Sequence, residues 1–212
     1  FRSYAKARGT GFQVIDFQQH CVIAMMLYAK YKTRNLQGVL GPGGAGSSPA
    51  TTTGSSNATG GADTENEYSK YVCGLGLEGV FGGIFEWVDG VEINNRVWKI
   101  TDPDGSTRNV NAETFSGWII NIAAENGPFF DVVPTQVGGS DSTHYSDYYS
   151  RTSDSSLVLA RSGYRSYPTG GVAYTDAAYD ASDMDSSYGS RLAFHGTISE
   201  LAPRQFKRLP VL

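Results

Sequence analysis

LVLARSGYRSYPTGGVAYTDAAYDASDMDSSYGSRLAFHG, residues Leu157–Gly196, opens and closes like a folded framework and changes character in between. Apolar Leu157-Val158-Leu159 leads in, and Gly-Ser-Arg-Leu-Ala-Phe (189–194) closes. The middle is almost wholly Tyr, Ser, Asp, Ala, Gly and Thr. Across the wider window Gly138–Gly196 there is no Lys, Glu, Gln, Asn or Trp, although Lys and Glu are ordinarily among the commonest residues. The same window holds Tyr145, Tyr148, Tyr149, Tyr164, Tyr167, Tyr174, Tyr179 and Tyr188 out of 13 tyrosines in the chain. Tyr supplies large, rigid, amphipathic contact area at low entropy cost, and Ser and Gly adapt around it, which is the chemistry of a binding surface. A solvated Ser/Asp-rich loop without a partner has a similar composition, so composition leaves both readings open.

The rest of the chain sets the scaffold. At 212 residues it suffices for one large domain or two small ones. A hydrophobic content of 40% and an aromatic content of 12% allow a real core, while 26 glycines and few long periodic stretches point to a loop-rich, mostly β or α+β chain. A net charge of −4 without any Lys/Arg block gives no sign of a nucleic-acid partner. There is no apolar run near the ~18 residues of a membrane span and no signal peptide. The first residue is Phe1, so a mature form, an excised domain or the end of a longer protein is expected. Cys21 and Cys73 read as two buried thiols in preference to a disulfide, because free Cys behaves as a small core hydrophobe.

One helix is secure, Asp16–Lys32. Asp16 is an N-cap with Gln19 three residues on, a capping-box variant. Phe17, Cys21, Ala24, Tyr28 and Tyr31 follow at helical spacing, with Met25 widening the stripe and Lys30, Lys32 and Arg34 at the end favoured by the dipole. Gly-Phe-Gln-Val-Ile before it reads as a short strand, and His20 as a packed or capping histidine. Gly41–Gly61 is a low-complexity surface loop, in which Asn57-Ala58-Thr59 is formally a sequon, and 63–73 is expected to form a short second helix. In Leu75–Val91, Gly82-Gly83 allow close backbone approach and Trp87 is expected to be a core anchor. Val97-Trp98-Lys99-Ile100 is a strand, and Asp102-Pro103-Asp104-Gly105 a type I turn, favoured over a calcium loop because no further oxygen ligands surround it in sequence. Residues 115–135 supply core loops and short strands.

Several segments in order resemble a known family. The helix DFQQHCVIAMMLYAKY, the block LGLEGVFGGIFEWVDGV, the segment GWIINIAAENGPFFDVVPTQVGGS and the closing GSRLAF look like the formylglycine-generating-enzyme (sulfatase-modifying factor) branch of the C-type lectin fold. GGIFEWVDG is similar to its "GNVWEW" motif and GSRLAF to its terminal "GFR-x-A" strand. Within that branch, the Tyr/Ser/Asp run ending in GSRLAFHG is most similar to the variable proteins of diversity-generating retroelements, as in phage tail-tip receptor binders and surface-displayed binders. The resemblance implies randomisation of adenines, mostly in Asn codons, by error-prone reverse transcription. Such codons give Tyr, Ser, Asp, Ala, Gly, Thr, Arg and His but not Lys, Glu, Gln, Met or Trp, which matches the missing residues. Met184 departs from that set and would be a fixed position. The expected fold is therefore α+β, loop-rich with one main helix. A single domain spans 1–196, with a flexible loop at 41–61, a variable ligand-binding region at about 162–188 and a tail at 197–212. LVLARSGY would be the last constant strand. The implied exposed ligand-binding residues are Tyr164, Arg165, Ser166, Tyr167, Tyr174, Asp176, Tyr179, Asp180, Ser182, Asp183, Asp185, Ser186 and Tyr188. HYSDYYS (144–150) is expected to be constant, ordering the loop or meeting another subunit.

Catalysis is not expected. The formylglycine-generating oxidases hold copper with two cysteines near the C-terminal strand, since soft thiolates select Cu(I). Here no cysteine follows Cys73, and Leu192 stands at the matching position. His20, His144 and His195 are far apart in sequence, and no nucleophile elbow, P-loop or His-Glu-x-x-His is present. Asp180, Asp183 and Asp185 lack the glycine and glutamate of an EF-hand loop and read as an acidic rim. The expectation is a non-catalytic receptor binder without cofactor or metal. Its partner would be a protein or glycan on a target cell surface, with no nucleic acid and no membrane insertion. It would sit on a phage tail-fibre tip or a bacterial cell surface, with homo-oligomers common among such display proteins. The alternative is a structural fibre, pilus-like or adhesin subunit of the same fold with a fixed contact surface. An oxidase of the formylglycine-generating type is the remote one.

Overall fold

The computed structural model describes residues 1–43, 72–125, 127–163 and 170–197. A short helix α1 (Arg2–Lys6) leads to strand β1 (Phe12–Val14), the main helix α2 (Phe17–Tyr31) and a single turn, α3 (Gln37–Leu40). Strands β2 (Cys73–Gly74) and β3 (Leu77–Glu78) precede the long β4 (Phe85–Asn94). Then come β5 (Val97–Thr101), β6 (Thr107–Asn111), β7 (Gly117–Ile122) and β8 (Pro134–Val137). After them run β9 (Tyr148–Arg151), β10 (Leu157–Arg161), β11 (Thr175–Asp180), β12 (Tyr188–Gly189) and β13 (Leu192–Phe194). The fold is mixed α+β: among the described residues a curled β-sheet dominates, with few helices.

Asp16 begins α2 as the sequence predicts. Its Oδ1 accepts the Gln19 N–H at 2.8 Å while Gln19 Oε1 accepts the Asp16 N–H at 3.2 Å, so two otherwise orphaned donors are satisfied. Lys32 ends the helix in the left-handed region at φ 54°. Phe17, Cys21, Ala24 and Leu27 are fully buried, and Tyr28 and Tyr31 pack against the same core. Met25 does not widen the stripe; at ~100° per residue it lies round the helix from the Phe17–Ala24 line, and it is exposed.

The main sheet has nine strands in the order β6-β5-β4-β10-β11-β9-β7-β8, with β12 paired to β4. All neighbours are antiparallel except β11–β9 and β12–β4. The Asp102–Gly105 turn joins β5 to β6 as expected: Gly105 N–H donates to the Asp102 carbonyl at 2.9 Å. The Asp102 carboxylate is held by Arg108 and Gln18 at 2.9 and 3.0 Å. At the far end, β1 pairs antiparallel with β13, Gln13 opposite Ala193, so the beginning and end of the domain are stitched together. Leu192 and Phe194 lie on the exposed side of β13, and Phe194 packs on Phe12 at 5.2 Å.

Trp98 on β5 is the large core anchor, fully buried with its ring meeting Phe17 edge-on at 6.2 Å. Trp87 is not a core residue. Along β4 alternate side chains turn opposite ways; Glu86 and Val88 are buried, while Phe85 and Trp87 are half-buried on the other face. Trp118 is likewise half-buried, edge-on to Tyr148 at 5.6 Å. Cys21 and Cys73 are both buried, and no disulfide joins them. The helix expected over 63–73 falls mostly outside the described residues, and Cys73 itself opens a strand. The 41–61 loop beyond Gly43 and the tail beyond Thr197 also lie outside them.

Candidate ligand-binding surface

The surface begins where β10 ends. Ser162 and Gly163 leave the strand at φ 76° and 65°, and the next described residue is Gly170. Gly163 and Gly170 lie back to back: a Cβ on Gly163 would fall 2.3 Å from the Gly170 Cα. Only glycine permits both the backbone conformation and the approach. Tyr164, Arg165, Ser166 and Tyr167 belong to the segment between, outside the described residues.

The returning chain is fixed from beneath. Asp147, fully buried, accepts the N–H groups of Gly171 and Ala173 at 2.7 and 2.8 Å and the Gln37 side-chain amide at 2.7 Å. Burial pushes its carboxyl up to about 7, against those hydrogen bonds and the nearby Arg161 charge. Arg161 is also completely buried. Its guanidinium donates to the carbonyls of Val132, Ala173 and Tyr174 and to the Thr175 hydroxyl, and faces the Phe17 and Trp98 rings, each 5.7 Å from its centre. Burial lowers it to about 10. Within the HYSDYYS segment it is Asp147 that holds Gly171 and Ala173 in place.

From Tyr174 onward the expected surface residues divide. Tyr174 and Asp176 are not exposed; at 7% and 5% accessibility they are packed down. The Tyr174 ring lies 5.7 Å from Phe85 and its hydroxyl donates to Asp176 Oδ2 at 3.3 Å. Burial raises the Asp176 carboxyl to about 6, against hydrogen bonds from Tyr174 and the Ala178 N–H. Every residue from Tyr179 to Ser186 is exposed, including Tyr179, Asp180, Ser182, Asp183, Asp185 and Ser186. Two turns shape this stretch. Asp180 accepts from the Ser182 N–H and hydroxyl at 2.7 and 2.5 Å, and Asp185 accepts from those of Ser187 at 2.8 and 2.5 Å.

Tyr188 brings the chain back onto the sheet, half-buried. Its ring stacks on Trp87 at 4.6 Å and 10° and on Phe85 at 5.0 Å and 25°, with Tyr179 edge-on at 5.4 Å. A continuous aromatic group therefore joins β4 to the Tyr-rich run. Sequence reading missed Phe85 and Trp87 as members; the alternation in Phe85-Glu86-Trp87-Val88 was the available signal. Directly after, Ser190 Oγ donates to the Trp87 carbonyl at 2.9 Å, and Arg191 donates to the Gly79 carbonyl and Glu86 Oε1 at 2.7 and 2.8 Å. Burial raises the Glu86 carboxyl in spite of Arg191. His20 is buried too, and desolvation, then Arg161 and Arg191, lowers its pKa well below the ordinary histidine value. Among the described residues no group of three or more His, Cys, Asp or Glu is placed to hold a metal ion, and no helix is long and apolar enough to cross a membrane.

No protein-family model matches this chain, and no curated protein does either.

Proposed function

We propose that this protein is a non-catalytic receptor binder, displaying a diversified Tyr/Ser/Asp-rich surface on a C-type lectin-like scaffold of the formylglycine-generating-enzyme type. The observation that carries the reading is the contrast along one stretch. Tyr179–Ser186 is uniformly exposed, while the residues that hold its ends, Ala177 and Gly189, are buried. A surface held at both ends in this way has less conformational freedom to lose on binding. The Arg191–Glu86 pair supports the scaffold assignment, because it joins the two segments on which the family resemblance rests, GSRLAF and IFEWV. In this reading Trp87 and Tyr188 form the constant aromatic floor, and the exposed positions of Tyr179–Ser186 vary. Attachment of a phage tail-fibre tip, or of a bacterial surface, to a target cell is the role such a surface serves. The test is binding of the purified protein to cells of its host range, against a variant carrying Ala at Tyr179, Asp180, Asp183 and Asp185. Loss of attachment by a variant that stays folded under the assay conditions supports the proposal; undiminished attachment removes this surface from it.

A further inference from the structure

From Cys21 to Ala29 helix α2 reads CVIAMMLYA, without one charged side chain, and a helix that is apolar all round is one that is covered all round. One side is covered: Phe17, Cys21, Ala24 and Leu27 are buried in the core. The other is open. Val22, Met25, Met26 and Ala29 are exposed, and their spacing of i, i+3, i+4 and i+7 puts them on a single stripe. Charge of opposite sign bounds this stripe at its two ends. At its start Gln18 donates to Asp102 Oδ1 at 3.0 Å, which holds the Asp102–Gly105 turn against the first turn of the helix. Arg108 answers the Asp102 charge at 2.9 Å, and Asp104 is the exposed carboxylate of that turn. At the other end of the stripe Lys30 and Lys32 are exposed.

The chain itself offers no cover of matching chemistry. Residues 44–71 and 164–169 contain no Leu, Ile, Val, Met, Phe or Trp. Residues 198–212 are apolar enough, but they bring Arg204, Lys207 and Arg208 with one acid, Glu200, to a stripe that already ends in lysines. A second α2 matches in both respects. Run antiparallel, it sets apolar stripe on apolar stripe and brings the lysines of each copy to the acidic turn of the other. The stripe is also symmetric about its middle, as an isologous contact requires, because the midpoint of Val22–Ala29 falls between Met25 and Met26. We infer that two copies of this chain associate through α2, antiparallel about a two-fold axis at Met25 and Met26, with Val22 of each copy against Ala29 of the partner subunit. The helix covers the core side of the sheet, Phe17 against Trp98, whereas Trp87 lies on the other face. Such a pair leaves both Tyr179–Ser186 runs open, and on the reading of these as binding surfaces the dimer is bivalent.

Sedimentation equilibrium of the whole protein, with no ligand present, tests this independently of what the Tyr-rich run binds. The stripe spans one helix, so the contact lies at the small end of specific interfaces and a Kd of about 10–100 μM is expected. The mass should climb from monomer towards dimer as concentration passes through that range. Met25→Glu and Met25→Lys each set like charges across the axis. Both should stay folded, since Met25 is exposed, and both should remain monomers throughout. Mixed in equal amounts they should recover the dimer, because Glu then faces Lys. Lys30→Glu/Lys32→Glu should weaken association of the parent roughly threefold or more, exposed ion pairs being modest contributors. A parent that stays monomeric, a dimer that survives both Met25 substitutions, or a mixture that stays monomeric would each overturn the inference. If a monomeric parent turned dimeric on removal of residues 198–212, the stripe would belong to the chain's own end.

Discussion

Arg191 reaches across from the closing segment to Glu86, donating at 2.8 Å, and so locks the end of the domain onto the strand that carries Phe85 and Trp87. Glu86 is buried and Arg191 only a quarter exposed. Removing one partner leaves the other charge poorly solvated and unpaired. Arg191→Met should cost about 2–3 kcal/mol, below the full figure for a completely buried pair because of that exposure. Urea unfolding of the two proteins checks it, and a change under about 0.5 kcal/mol would show the pair to be incidental.

Gly171 sits where a side chain has no room. A Cβ there would fall 2.2 Å from Asp147 Oδ1, the atom that accepts the Gly171 N–H. Gly171→Ala must expel the Asp147 carboxylate or open the turn. We expect a loss of about 2–4 kcal/mol, in the range of strained buried substitutions, with faster amide exchange at Ala173. Full stability in this variant would mean that Asp147 does not hold the loop.

The Asp176 carboxyl titrates at about 6 in the folded protein, raised by burial from an ordinary 3.8. A folded pKa raised above the unfolded one means that the folded state holds the proton more tightly. This group's contribution is therefore fullest below pH ~4 and is lost as pH rises to about 6. Asp147 acts in the same sense up to about 7. His20, whose pKa is depressed, acts oppositely, adding stability as pH rises towards the ordinary histidine value. The difference between parent and Asp176→Asn isolates one of them. Relative to that variant, the parent should lose stability between pH 4 and 6, measured by urea midpoints at each pH. A difference that is flat, or of the other sign, would contradict the assignment.

Trp98 and Tyr179 should separate fold from surface. Trp98 is fully buried, so Trp98→Ala should cost about 3–5 kcal/mol. Tyr179 is 37% exposed at the edge of the aromatic group, so Tyr179→Ala should cost about 1 kcal/mol or less while weakening attachment to target cells. Equal effects of the two on stability would deny that Tyr179 belongs to a display surface.

Much of the scaffold was legible because its signals are local. Asp16 and Gln19 announce a helix start from three residues apart, and Asp102–Gly105 announces a turn from four. The exposure of Tyr179–Ser186 was legible from composition, whose short polar residues suit solvent. Composition says nothing of depth, so Tyr174 and Asp176 looked like their neighbours although β11 and Phe85 pack them down. Trp87 was judged by size, which favours the core, whereas its alternation with Glu86 and Val88 decides its face. The Asp147 anchor depends on contacts to Gly171 and Gln37, 24 and 110 residues away in sequence, and no local pattern encodes that.

The most direct test of a diversified display surface is deep sequencing of this gene, with its flanking DNA, across the population that carries it. The account predicts substitutions concentrated in codons of about 162–188, heaviest at the exposed positions of Tyr179–Ser186. They should match adenines of a nearby near-identical template repeat, with Asp147, Arg161, Gly163, Gly170, Gly171 and Arg191 unchanged. Variation spread evenly along the gene, with no repeat and no reverse transcriptase beside it, would contradict the account and favour a fixed structural contact.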